Sequence, residues 1–258
     1  MAVTTETAVM VSEKSASANG NLLVKTVNNM GFQYLGPPDD YVEDFIRFAA
    51  TADGPVADLG CAFGRQTRLM LEAGAKSVIA NDLAQAHLDA LADSLTDGEK
   101  ARVTLQQGNA LDFLSDIQPL DSLSGILAAM WLHFLEGPDV RRAFQLFYRV
   151  LQPGGTLVVI TGSHQNGLIV SEKTTIAERK AAGNEWPGRV ENSRLNYPVR
   201  VQFPGHVLFI EPEELVREAR SAGFEILRAG YIERDESYPE WYRMDGREAA
   251  GLHALKPK

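Results

Sequence analysis

The order of the apolar segments constrains this chain more than any other feature. Between Val56 and Ile160, short apolar runs alternate with apolar stripes at helical spacing. Residues 56–59, 77–82, 103–105, 125–130 and 156–160 read as five strands. Leu88, Leu91, Ala92 and Leu95 form a helix stripe between two of them, and Val140, Phe144, Phe147 and Leu151 form another. Such alternation predicts a parallel sheet with helices on both faces. Residues 125–130 are apolar throughout, as expected of a central strand buried on both sides.

The pattern extends beyond that stretch. Val42, Phe45, Ile46 and Ala49 predict a helix over 39–49, capped by Asp39 or Asp40. Pro212 and Gly223 bracket a later helix, in the positions that helix ends prefer. Residues 224–227 predict a sixth strand. Residues 248–255 predict a seventh, antiparallel because no crossover helix precedes it. The expected fold is therefore α/β: a doubly wound, mostly parallel seven-stranded sheet. Residues 163–209 break the alternation and are expected to form a cap inserted after the fifth strand. Residues 1–35 are expected to be a flexible tail or lid, and 36–258 the folded domain.

The sharpest local signal is Asp58-Leu59-Gly60-Cys61-Ala62-Phe63-Gly64. A strand ends in an acid and enters a turn whose glycines let backbone approach a ligand closely. The dinucleotide fingerprint G-x-G-x-x-G is absent. A pyrophosphate would be repelled by Asp58, whereas an ammonium group would be attracted. Asp82 ends the second strand. Its carboxylate can accept hydrogen bonds from a ribose diol, or it can cap the helix that follows. After the third strand, Asn109 can reach an adenine edge or simply shape a turn.

Charge and composition narrow the partners. The 258 residues hold 25 Lys and Arg against 34 Asp and Glu, a net charge of −9. Nucleic acid and anionic membrane would be repelled at long range. No apolar stretch reaches the length of a membrane span. Cys61 is the single cysteine, so no internal disulfide forms, in keeping with a cytoplasmic location. The first twenty residues lack the basic start and apolar run of a secretory signal. No His, Cys and carboxylate cluster has metal-ligand spacing. Nothing specifies a protein partner, and the surface is compatible with a homodimer.

These segments together resemble the class I S-adenosylmethionine-dependent methyltransferases. The resemblance runs from about Tyr41 to Leu255 and rests on 56–64, 78–82, 108–113 and the turn Leu151-Gln152-Pro153-Gly154-Gly155 before the fifth strand. It implies S-adenosylmethionine as cofactor. Asp58 would lie near the methionyl ammonium, with Gly60, Cys61, Ala62 and Gly64 along the methionine and sugar. Asp82 would hold the ribose hydroxyls. Leu83, Asn109 and Ala110 would flank the adenine, and Ala128 and Met130 would border the methionyl group. Ala62 stands where many members carry glycine, which is tolerated if its φ stays negative. Asn109 stands where Asp is common.

Two histidines follow strand ends on the acceptor side, His133 after the fourth and His164 after the fifth. Each is a candidate general base or a structural histidine. His87 and His253 are expected to lie away from the chemistry. Residues 163–205 carry six bases against four acids. A basic cap would attract an anionic acceptor; otherwise those charges form a solvated face. Tyr34, Tyr41, Trp186 and Tyr197 are candidate aromatic walls. No Asp/Asn-Pro-Pro-Tyr or Pro-Cys motif occurs, which disfavours nucleobase acceptors. The expected activity is methyl transfer to a small-molecule O-, N- or C-nucleophile. The alternatives are a cofactor-binding protein that transfers no methyl group and a nicotinamide-dependent oxidoreductase, the latter disfavoured by Asp58.

Overall fold

The computed structural model describes residues 22–196 and 203–258. Residues 22–35, expected to belong to the tail, form an antiparallel hairpin of β1 (Leu23–Lys25) and β2 (Phe32–Tyr34). Its turn is built by local polar side chains. The Thr26 hydroxyl donates to the Gly31 carbonyl and accepts from the Met30 amide, while Asn29 and Gly31 take positive φ. α1 (Asp40–Thr51) follows. Asp39 is its cap, accepting from the Val42 amide at 3.2 Å.

The central elements are β3 (Val56–Leu59), α2 (Arg65–Glu72), β4 (Val78–Asp82), α3 (Gln85–Ser94), α4 (Asp97–Lys100), β5 (Val103–Gln107), α5 (Ala110–Asp116), β6 (Leu123–Ala129), α6 (Gly137–Val150) and β7 (Leu151–Gly162). After the insertion come α8 (Pro212–Ala222), β10 (Glu225–Ile232) and β11 (Ala249–Leu255). They form one seven-stranded sheet in the order β10-β11-β7-β6-β3-β4-β5. Strands β3 to β7 are parallel, and β11 runs antiparallel to both its neighbours. The chain winds outward from β3 through β4 to β5, then returns to β6 on the other side. The carboxyl ends of β3 and β6 therefore face a switch point, where such sheets bind ligands.

The sheet separates two apolar layers. One face packs Leu59, Ile126 and Val159 beneath Phe144, Phe147 and Leu215. The other packs Val56 and Leu127 beneath Phe45, Met70 and Leu91. β7 begins earlier than the expected 156–160. It continues through Gln152-Pro153-Gly154-Gly155, with Gly154 at φ 79 and the pairing shifted between Leu123 and Gly125. The turn residues bend the strand without ending it.

The insertion forms a small lobe with its own core. It holds a turn of 3₁₀ helix (Gly167–Glu172), α7 (Lys173–Ala181), and a two-stranded sheet of β8 (Arg189–Glu191) and β9 (His206–Leu208). Leu168, Ile169, Ile176, Val190 and Phe209 pack with Tyr242 from the loop before β11. Glu211 ties the lobe to the sheet. It caps α8, accepts from the His164 amide at 2.6 Å, and accepts from the Tyr231 hydroxyl.

Candidate active site

A cavity of about 370 Å³ opens at the switch point, within the size range of small-molecule sites. Its floor comes from the turns after β3, β4, β5 and β6. Its walls come from the hairpin, the inserted lobe and the loop between β10 and β11.

Asp58 ends β3 and is 2% exposed. Its Oδ2 accepts from the Thr67 hydroxyl at 2.7 Å. Burial pushes the carboxyl up from 3.8 to about 6; the Thr67 hydroxyl and amide oppose this, and the Asp82 charge adds to it. The turn that follows is tightly fixed. Gly60 has φ 68, and a Cβ there would come within 2.9 Å of the Trp131 side chain. Ala62 takes φ 47, against the expected negative value, and its amide donates to Asp82 Oδ2 at 2.8 Å. The carboxylate thus holds the turn in the left-handed region, where alanine is strained. Cys61 lies buried in the same wall.

Asp82 is 6% exposed and does more than one job. Its Oδ1 accepts from the Ala84 amide at 2.8 Å and contacts His87 Nδ1 at 2.9 Å. With Ala62, three donors already occupy a carboxylate that accepts about four, so room for about one further donor remains. The capping and ligand-facing readings coexist in one side chain. His87 in turn accepts from the Val27 amide of the hairpin at Nε2, at 3.2 Å. That bond places the ring proton on Nδ1, facing Asp82. His87 therefore lines the cavity, contrary to the expectation from its helix position. Its neighbours Asp82 and Val27 come from two separate elements, which sequence spacing does not reveal.

Leu83 stands on the cavity wall, half exposed. Gly108, Asn109 and Ala110 form the adjoining edge. The Asn109 carbonyl oxygen caps α5 by accepting from the Leu111 amide at 2.8 Å, leaving its amino group as the free end. Met130, at φ 60, and Ala129 border the cavity. Ala128 points into the sheet core instead.

Gly64 and His164 also lie off the cavity. Gly64 starts α2 at φ 73, and a Cβ there would strike Leu91 at 2.5 Å. It is glycine for helix packing, and it is not among the lining residues. His164 is also absent from the lining. Its Nε2 lies 3.0 Å from the Phe209 carbonyl, and its ring sits between Glu211 and Glu214. It joins lobe to sheet, so its geometry does not suit a base for a ligand in the cavity.

His133 does line the cavity, on a 3₁₀ turn after β6. Its Nδ1 is buried with no partner. Burial alone pushes its pKa down from 6.5 to about 3, so the imidazole stays neutral. Gln33, Trp131 and Arg234 also line the cavity, and each has a buried polar atom without a partner.

Among the described residues, the lobe's basic side chains do not reach the cavity. Arg189 pairs with Glu136 and Glu191, Arg194 with Glu172, and Arg179 donates to backbone carbonyls. Arg200 and Tyr197 lie outside the described residues. The lobe contributes uncharged groups to the cavity: Asn166, Leu168, Phe203, Val207 and Phe209. Tyr34 lines it, whereas Tyr41 and Trp186 do not. Sequence reasoning missed Tyr238, Trp241 and Tyr242, which line it from the loop before β11. Among the described residues, no group of His, Cys, Asp and Glu could hold a metal ion, and no helix is long and apolar enough to cross a membrane.

With this geometry in view, the comparisons with known proteins become informative. Residues 56–155 match the model of the methyltransferase domain family. These residues run from β3 into β7 and carry the whole cavity floor. Over these residues the chain is similar to a methyltransferase domain, in line with the resemblance seen in the sequence. A S-adenosylmethionine-dependent methyltransferase from Methanosarcina mazei superposes with a TM-score of 0.61 at 17% identity, over 83% of this chain and 97% of that one. Another from Mesorhizobium loti gives 0.57 at 20%, over 83% and 97%. The (4+2)-cyclase SpnF gives 0.57 at 18%, over 98% of this chain and 93% of its own. At these identities the structural likeness speaks for the fold. No curated protein matches the chain in sequence.

Proposed function

We propose that this protein transfers a methyl group from S-adenosylmethionine to a small molecule held between the sheet and the inserted lobe. The observation that carries the reading is one cavity with two chemically different ends. One end holds the buried carboxylates Asp58 and Asp82, the close-approach turn at Gly60 and the apolar rim residue Leu83. This suits a cofactor with an ammonium group, a ribose and a flat base. The buried, partly proton-binding Asp58 is the side chain that a cation would stabilise in its charged form. Asp82 offers its remaining acceptor site to the ribose. Asn109 and Ala110 border the base, and Met130 and Cys61 the methionyl chain.

Bound there, S-adenosylmethionine would supply a methyl group already activated on a sulfonium for the acceptor's lone pair. The protein's task is to align the two and to exclude water. The hairpin and the lobe serve the second purpose. His133 stays neutral and positions the acceptor by hydrogen bonding. A proton released by the acceptor passes to water, because a group that binds protons only near pH 3 is a poor base. The expected location is cytoplasmic.

A second reading has an observation in its favour. SpnF is described as a cyclase, and its likeness covers 98% of this chain. A neutral His133 would also suit an enzyme that binds the cofactor without transferring methyl. One experiment separates the two readings. The protein is incubated with S-adenosylmethionine and a pool of small hydroxylated and amino compounds, and products are weighed by mass spectrometry. Methyl transfer gives S-adenosylhomocysteine and an equal amount of acceptor heavier by one methylene. Tight cofactor binding without either product favours the second reading.

A further inference from the structure

The acceptor end of the cavity has a charge pattern that the cofactor end does not require. Its walls are Phe32, Phe134, Phe203, Tyr238 and Trp241, with Leu168 at the side. Arg234 is the cation in the cavity lining. It is 8% exposed, pairs with Asp39 at 3.0 Å, and lies 5.0 Å over the Tyr238 ring. Both the charge and the aromatic face that an ionic ligand would use are therefore already occupied. An anion would have to draw Arg234 away from Asp39. A cationic acceptor would meet Arg234 where it sought an aromatic face. Either would lose solvation in an apolar chamber, and an anion would regain only the unpaired Nε of Arg234.

Polar atoms are nonetheless left unpaired near the reacting end. Trp131 Nε1, His133 Nδ1 and Gln33 Oε1 are buried without partners. Trp131 and Gln33 both meet the turn after β3, and His133 follows Trp131 by two residues. Trp131 packs against Gly60, and the Gln33 amide donates to the neighbouring Cys61 carbonyl at 3.2 Å. A buried indole N–H and a buried amide oxygen each carry a cost until a ligand satisfies them. One needs an acceptor and the other a donor. A hydroxyl group supplies both.

Resting on the cofactor reading above, we infer that the acceptor is an electrically neutral, largely apolar hydroxy compound, its hydroxyl among Gln33, Trp131 and His133 and its ring or chain against Phe203 and Trp241.

Matched probes test this. The protein is saturated with S-adenosylhomocysteine and titrated at pH 7 with 2-naphthol, 2-naphthoate and 2-naphthylmethylammonium. These share a skeleton and differ in charge. Binding is followed by calorimetry and by tryptophan fluorescence. The neutral naphthol is expected to bind at least about tenfold more tightly than either ion, a difference of about 1.4 kcal/mol. Trp241→Ala is expected to weaken naphthol about tenfold and to leave S-adenosylhomocysteine affinity unchanged. Equal or tighter binding of naphthoate or of the ammonium overturns the inference, as does failure of all three to bind. If S-adenosylhomocysteine itself does not bind, the cofactor reading falls, and this inference falls with it.

Discussion

Replacing Asp58 by Asn separates what this carboxylate costs the fold from what it does for a ligand. Its pKa rises from 3.8 to about 6 on folding, and it is fully buried. Each unit of pKa difference corresponds to about 1.4 kcal/mol, so the charged form costs the folded state about 3 kcal/mol at neutral pH. The folded protein binds this proton more tightly than the unfolded chain does. Stability from this group is therefore greatest below about pH 4, declines as pH rises to about 6, and stays reduced above. Asn keeps an oxygen for the Thr67 hydroxyl and removes the charge. Asp58→Asn should be more stable than the natural protein by about 1–3 kcal/mol at pH 8, with the difference vanishing near pH 4. Urea unfolding of both proteins across this range is the assay. The ligand effect should have the opposite sign. If the cofactor's ammonium needs ionised Asp58, affinity should drop about tenfold between pH 7 and pH 5, where only about a tenth of Asp58 is ionised. In Asp58→Asn, affinity should be weaker and nearly independent of pH. A variant that is less stable at pH 8, or one that keeps the pH dependence of binding, would refute the reasoning.

Other perturbations follow from the same geometry. Ala62→Gly should raise stability by about 1 kcal/mol in denaturant unfolding, because glycine adopts φ 47 without strain; a loss would mean that the methyl group packs usefully. His87→Asn keeps a donor for Asp82 but loses the Val27 contact, so hydrogen exchange of the Val27 amide should speed up several-fold. His87→Gln, long enough to accept from Val27, should restore part of the protection. Because His133 is neutral throughout the working range, the pH profile of methyl transfer should show no step that His133→Phe removes; a step lost in the variant would restore a base role.

Much of the sheet was legible because periodicity reports burial directly. The alternation between residues 56 and 160 gave the parallel core, and the missing crossover helix gave the antiparallel β11. The cofactor end was legible for a related reason: Asp58, Gly60 and Asp82 lie at strand ends, which the topology must bring together. The acceptor end was not. Arg234, Tyr238, Trp241 and Tyr242 are far in sequence from the other cavity residues, and only the antiparallel return of β11 carries their loop over the sheet. The hairpin was hidden because strands of three residues give no periodicity, although Asn28-Asn29 and Gly31 carried a turn signal. The two readings of the basic lobe stayed open in the sequence because charge counts do not say where side chains point. Arg189 and Arg194 are spent on Glu136 and Glu172. Ala62 misled, since its positive φ is imposed by Asp82 from another strand.

The central claim is that the switch-point cavity holds S-adenosylmethionine through Asp58 and Asp82. Calorimetric titration of the whole protein tests it most directly, with S-adenosylmethionine, S-adenosylhomocysteine and NAD as ligands and Asp82→Ala as the paired variant. The account predicts one site per chain for the two adenosyl compounds, no heat from NAD, and at least several-fold weaker binding in Asp82→Ala, checked against its thermal unfolding to confirm that it is folded. Tight NAD binding with no response to S-adenosylmethionine would contradict the account. Unchanged affinity in a folded Asp82→Ala would reduce Asp82 to a clamp on the Ala62 turn and α3.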